Sequence, residues 1–417
     1  MKSPISTWMV LGAATAAAFS SLFFLLSSTP QPRPPPSMAY DAFFSDNYYE
    51  ARALFRETAA MANATLHTIR FPVNEKTLDL SIDIAVLRGA KPDSLVVHLS
   101  GTHGVEGFAG SAIQSAVLAN WTTTPHDATV VFVHAVNPYG FATLRRVNEH
   151  NVDLNRNHLT TEAFAARRAM DPNFLGYDDL TSFLNPSATP TLLESARGIL
   201  HALVMVATRG FLAVRRAIAT GTYHHADGIF YGGQQLEASH TRLHAFFAAQ
   251  FDLASFAQVV LVDVHTGLGA PGVDTLNIFS NAAVGVDATP ARVAAAIGID
   301  DAVVSLDDAG DDSALAGYEH AGGFAMDGYS ATWFPATTAV VGVTQEFGTV
   351  SPLAVIDALR RENAATQARA PHRLAAAEAL RDVFYLHHDP MWKFDVGSRG
   401  RALLETVMRH VDGVPHA

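Results

Sequence analysis

At 417 residues and 49% hydrophobic side chains, the chain is long enough to bury a large core, which suits one big α/β domain or two smaller ones and argues against disorder in its body. Its 28 basic against 40 acidic side chains give a formal charge of −12 at pH 7, so it lacks the basic face that nucleic-acid recognition needs. It has no cysteine, which excludes disulfides, thiolate ligands and cysteine catalysis, and any metal must rest on His, Asp and Glu.

Near the N-terminus, Trp8 to Leu26 is a run of 19 residues without a charge, longer than a usual signal-peptide core and close to the length that spans a bilayer. The stretch "TPQPRPPPS" that follows reads as a stiff, solvated linker. The expectation is a signal peptide or signal anchor over residues 1–28 and a proline-rich linker over 29–40. The chain would then enter the secretory pathway, secreted or held by a single N-terminal membrane segment, with membrane contact through that segment only. A buried core helix is the alternative, but a helix so placed has no obvious partner to pack against. Asn63 in "NAT" and Asn120 in "NWT" are glycosylation acceptors if the host is a eukaryote. No internal repeat and no interdomain linker follow, so residues 41–417 are expected to form one catalytic-size domain.

Within that body, "LHTIRFPV" and "LDLSIDIAVL" flank the polar "NEKT" and predict a β-hairpin. The short apolar runs "SLVVHLS", "TVVFVHAV", "QVVLVDV", "TLNIFS" and "AVVGVT" predict strands buried on both faces. Helical patterns such as "GSAIQSAVLAN" separate them. The fold class is therefore α/β, a mixed, mostly parallel twisted sheet with helices on both faces. Between Thr160 and Thr222, arginines at 197, 209, 215 and 216 interrupt a long apolar section, which predicts packed amphipathic helices and not a membrane span. The tail beyond Ser351 is helical in pattern and is assigned to the outer layer.

Polar residues fall at the carboxyl ends of these strands. His103 and Glu106 follow "VVHLSG", His265 ends "VVLVDVH", and Glu346 comes just after "AVVGVTQ". Open α/β sheets place their ligand crevices at those ends. Two histidines and one carboxylate suit Zn²⁺ and leave a fourth position for water, the arrangement of a catalytic site. A further carboxylate, Glu346, is a candidate general base and acid. An HxxE in a chain with 19 histidines also has a bland reading, since a histidine near a strand end is more often simply hydrogen-bonded.

A second cluster, "LRRVNEHNVDLNRN" from Leu144 to Asn157, gathers Arg145, Arg146, Asn148, Asp153, Asn155 and Arg156. Taken in order, "GTHGVEG", "RVNEHNVDLNRN", "DVHTGLG" and "QEFGT" resemble the M14 zinc carboxypeptidase superfamily, and most closely its DUF2817 branch. "NPYGF", "GIFYGG" and "DPMW" resemble that branch too, and the resemblance covers about Asp41 to Val411. It implies a zinc carboxypeptidase-like fold with one Zn²⁺ per chain on His103, Glu106 and His265. It implies Glu346 as general base and acid, Arg146 steadying the charge that develops on the scissile carbonyl, and Asp153 orienting the first histidine from behind. Arg145, next to Arg146, stays open as the alternative. Asn155 and Arg156 match the pair that grips a substrate carboxylate. Tyr329 is taken for the mobile tyrosine over the substrate, with Tyr318 as the alternative. His224 and His225 are read as structural. The implied activity is cleavage of an amide next to a free carboxylate, on a peptide or on an N-acyl amino acid. A binding protein without turnover is a third possibility, which the intact set of residues argues against.

Overall fold

The computed structural model describes residues 38–71, 78–91, 93–121, 127–285, 289–299 and 321–413. The expected signal or anchor, nearly all of the linker, and Tyr318 lie outside the described residues.

Seven strands form one sheet: β1 (Thr65–Phe71), β2 (Leu80–Leu87), β3 (Ser94–Ser100), β4 (Thr129–His134), β5 (Gln258–Pro271), β6 (Asp274–Ser280) and β7 (Ala339–Gly348). Their order is β1-β2-β4-β3-β5-β7-β6. The four central strands β4, β3, β5 and β7 run parallel, while β1/β2, β2/β4 and β6/β7 pair antiparallel. Each of the five short apolar runs of the body supplies a strand, although Ala135 and Val136 lie beyond the end of β4, and β6 at the sheet edge is only partly buried where burial on both faces was expected. β3 and β4 are buried at every position, as a strand covered on both faces must be, whereas β1 at the sheet edge alternates between exposed and partly covered positions.

Alternate residues of β3 feed different sides of the sheet. Leu95, Val97 and Leu99 join a cluster with Leu243, Phe247, Tyr329 and Trp333, and Val96 joins another with Phe55, Val117, Leu404 and Val407. Helices therefore cover both faces. The helix Gly107–Ala119 is buried from Gly107 through Leu118, because the helix Tyr48–Met61 and the long C-terminal helix Pro390–Val411 both pack over it. A Cβ on Gly400 would stand 2.3 Å from Ile113 Cδ1, so a glycine there permits the two helices to approach. The tail assigned to the outer layer thus also completes the core. It holds the start of the described chain as well, since Lys393 Nζ lies 2.7 Å from Asp41 Oδ1.

Residues 160–222 form the helices Thr161–Ala169, Tyr177–Leu184, Leu192–Arg209 and Phe211–Thr220. Among the described residues no single helix is long and apolar enough to cross a membrane. The last two pass that test only together, and they are bent by 117° at their junction.

Candidate metal centre and its surroundings

Strand β3 ends at Ser100, and the chain turns through Gly101 into the short turn Gly104–Glu106 and then directly into the helix Gly107–Ala119. Gly104 must be small, since a Cβ there would lie 2.1 Å from the backbone of Gly140. This turn brings His103 and Glu106 to the carboxyl end of β3. The parallel neighbour β5 pairs Val264 with Ser100 and so carries His265 to the same rim. On the other side of β5, β7 sets Glu346 in register with His265. Residues far apart in sequence meet because parallel strands end together.

The resulting cluster is tight and dry. His103 Nδ1 lies 3.0 Å from Glu106 Oε1, His265 Nδ1 lies 3.2 Å from Glu106 Oε2, and the two Nδ1 atoms are 3.0 Å apart. All three side chains are buried. Behind each imidazole stands a carboxylate: Asp153 Oδ1 is 3.1 Å from His103 Nε2, and Asp263 Oδ2 is 3.0 Å from His265 Nε2. Those contacts assign the Nε2 protons outward, so the Nδ1 lone pairs face the Glu106 carboxylate. Three donor atoms with only lone pairs at their meeting point suit a cation, and His, His and Glu are the donor types that zinc prefers. Among the described residues this is the one group of three or more His, Asp and Glu side chains with donor atoms so close together.

The charges are coupled. Burial alone would raise the Glu106 carboxyl, but whenever the imidazoles also carry a proton on Nδ1 the His103 charge and hydrogen bonds from His103 and His265 outweigh it and hold it well below the usual range. Asp153 is likewise held low against burial, by Arg146 first and then by His103. Glu346 behaves oppositely. Half-buried at the strand end, it is pushed up to about 7 by burial and by the charge of Glu106. Its Oε1 accepts a hydrogen bond from Leu268 N at 3.0 Å, which fixes its place beside His265.

Arg146 spans the centre. Its Nη1 donates to Glu106 Oε1 at 3.0 Å and its Nε to Asp153 Oδ2 at 2.9 Å, while the guanidinium lies over the Phe230 ring. Arg145 points elsewhere, pairing with Glu362 and Asn151, so Arg146 is the arginine at the site.

Other expected site residues take different postures. Arg156 is only 2% exposed. Its Nε donates to Ala219 O at 2.9 Å, its Nη1 to Asn155 O at 2.7 Å, and Phe324 covers its face. Asn155 accepts from Ala325 N at 3.0 Å. In place of the expected carboxylate clamp, this pair ties the 153–157 loop to its neighbours. Tyr329 also requires correction. It is fully buried, its hydroxyl is 2.9 Å from His240 Nδ1 and its ring is stacked on Trp333, so it is a packing residue and not a mobile cap. His225 pairs with Asp178 and His224 with Arg168 O, and neither belongs to the cluster.

Sequence reasoning missed Asp263 and Thr102. Thr102 Oγ1 donates to both Asp263 oxygens, at 3.1 and 2.9 Å, and so steadies the carboxylate behind His265. The signal was present in "DVH", since residues two apart on a strand point to the same side.

Solved structures similar to this chain include the carboxypeptidase A from Helicoverpa armigera, at 12% identity and a TM-score of 0.38, covering 89% of this chain and 81% of that one. A putative carboxypeptidase from Burkholderia mallei ATCC 23344 has 12% identity and a TM-score of 0.42, covering 90% and 70%. A putative succinylglutamate desuccinylase/aspartoacylase family protein from Shewanella amazonensis SB2B has 17% identity and a TM-score of 0.32, covering 73% and 71%. No curated protein matches. The family described as "Protein of unknown function (DUF2817)" matches residues 44–399, most of the chain, and the protein therefore belongs to that family.

Proposed function

We propose that this protein is a zinc-dependent hydrolase of amide bonds, a metallocarboxypeptidase in the sense of the M14 resemblance, with residues 41–417 as its single catalytic domain. The observation that carries the reading is the convergence of His103, Glu106 and His265, each imidazole backed by its own carboxylate, with Glu346 in register beside them.

A zinc ion held by His103 Nδ1, His265 Nδ1 and Glu106 would supply a Lewis acid that polarises the scissile carbonyl and acidifies water. The chain's own residues do the rest. Glu346, poised near neutrality, takes a proton from the attacking water and returns it to the leaving nitrogen. Arg146 offers a fixed positive charge to the oxygen on which negative charge develops, a contribution of about 3 kcal/mol for such a preorganised donor. Asp153 and Asp263 hold the imidazole protons on Nε2 and keep the lone pairs aimed inward. Peptides are the first substrate class proposed and N-acyl amino acids the second. No nucleic acid is expected as a partner of so acidic a chain.

Three measurements test this reading. Metal analysis of the purified protein is expected to find about one zinc per chain, lost in His103→Ala. Glu346→Gln is expected to keep metal and fold while hydrolysis falls at least about a hundredfold. A panel of peptides and N-acyl amino acids then separates the substrate classes. A zinc-free wild-type protein, or near-normal turnover by Glu346→Gln, would overturn the assignment. We further propose that the apolar run Trp8–Leu26 directs the chain into the secretory pathway, as signal or anchor. Fractionation that recovers a soluble cytosolic chain with that run attached would contradict this.

A further inference from the structure

We propose that Phe230, in the "GIFYGG" segment, is a positioning residue that holds the Arg146 guanidinium by its face at the metal centre. Its φ is +58°, in the left-handed region, where a bulky side chain is strained. A glycine would take that conformation freely, so what a phenylalanine adds there is its ring. The ring lies against Arg146, with the guanidinium carbon 5.1 Å from the ring centroid. Neighbouring groups keep the backbone in place: Thr222 N donates to Phe230 O at 3.1 Å, and Ile229 N donates to Asn185 Oδ1 at 2.9 Å. Gly221 makes room for it, since a Cβ there would stand 2.3 Å from Phe230 O.

Arg146 donates to two carboxylates, Glu106 and Asp153. Guanidinium donors point outward in the plane of the group, so these bonds hold its edges but leave it free to tilt about the line that joins them. A ring against the face removes that freedom and also attracts the charge. The Arg146 side chain is only 13% exposed, so water screens that attraction little. The next residue of the segment acts on the same group from another side, because Tyr231 O accepts from Asp153 N at 2.7 Å. Residues 230 and 231 therefore fix both the face of Arg146 and one of the carboxylates that takes its hydrogen bonds. Phe230 shares an apolar cluster with Val105 of the metal turn, which ties its ring to the same frame. This inference rests on the role proposed above for Arg146 and adds the residue that aims it.

The Nε proton of Arg146, followed by nuclear magnetic resonance in metal-free protein with isotope-labelled arginine, reports this contact without any turnover. Its signal is assigned by its loss in Arg146→Lys. The proton should exchange slowly with water in the wild type and in Phe230→Tyr, which keeps a ring, and about tenfold faster in Phe230→Leu. Leu144 has a φ of +57° in this chain, so leucine is tolerated in that conformation, and Phe230→Met serves where the leucine variant does not fold. In the zinc-loaded protein, Phe230→Leu should lower kcat about tenfold and leave KM unmoved, since Arg146 meets the oxygen only as charge develops there. Phe230→Tyr should restore kcat. In an Arg146→Ala background the leucine substitution should change kcat less than about twofold, because the group it positions is gone. Slow exchange in Phe230→Leu overturns the proposal. So does an equal loss of kcat with and without Arg146, or a rise in KM at constant kcat, which would make Phe230 a substrate contact. Should the wild type prove inactive, the hydrolase reading falls and the exchange rates alone decide the role of Phe230.

Discussion

Asp263 stands to His265 as Asp153 stands to His103, and the pairing makes a testable difference between the two aspartates and the residues around them. Replacing Asp263 by Asn keeps the shape but removes the charge that raises the basicity of His265, so zinc affinity is expected to fall between about 10- and 100-fold. Competition with a chromophoric chelator measures it, and an unchanged affinity would reduce Asp263 to a packing role. Arg156 supports a different expectation. Because its guanidinium holds Ala219 O and Asn155 O in the interior, Arg156→Ala should cost roughly 3 kcal/mol of stability while the ratio of kcat/KM for an acid and its C-terminal amide stays unmoved. A selective loss on the acid, with stability intact, would restore the carboxylate-clamp reading. At this scale the sequence was legible where residue type and spacing carry the chemistry, as at His103, Glu106, His265 and Glu346. It was illegible where orientation decides. Nothing in "MDGYSATW" tells which side of its helix turns to the core, and Tyr329 turned there.

The central strands were readable as elements because β3 and β4 are short apolar runs buried on both faces, while the edge strands β1 and β6 were readable by alternation or apolar content alone. Helices that pack on more than one side were readable as helices, "GSAIQSAVLAN" among them, but not in the way they face. Gly107–Ala119 buries nearly its whole circumference, so it has no polar face from which a direction could be read. Its contact with β3 is close: a Cβ on Gly110 would meet Ser100 Oγ at 2.6 Å and Ser100 Cα at 3.1 Å. Gly110→Ala is therefore expected to destabilise the protein by about 1–3 kcal/mol, by overpacking against backbone that cannot swing aside. Since Ser100 lies just before the metal turn, zinc retention should weaken with it. Thermal unfolding and metal analysis of that variant check both, and an unchanged melting temperature would mean that helix and strand can slide apart without cost. The helices Leu192–Arg209 and Phe211–Thr220 show the same limit from the outside. Their periodicity announced packed helices, but not that Leu193, Leu200 and Val204 stay exposed.

At the scale of the whole molecule, four imidazoles among the described residues are kept neutral in the interior. Burial is the main cause in each case, pushing His98, His134 and His158 down to about 4 and His240 to about 3. In the unfolded chain each would bind a proton near pH 6.5. Their contribution to stability is therefore fully present above that pH and is lost as pH falls toward 4, by up to about 1.4 kcal/mol per pH unit for each histidine. Urea midpoints of the metal-free protein should drop steeply between pH 6.5 and 4, and a flat profile there would contradict the buried, neutral state. The same interior has a history in time. The contact of Gly400 with Ile113 joins residues 287 positions apart, and the helix that begins just after Glu106, already flanked by the helix Tyr48–Met61, receives the rest of its cover only when the C-terminal helix arrives. At a synthesis rate of about 5–20 residues per second, the ribosome takes roughly fifteen seconds to a minute to supply it. Throughout that interval the nascent chain leaves one apolar side of that helix uncovered, so it should engage chaperones, and a messenger truncated before Pro390 should yield a product that is degraded.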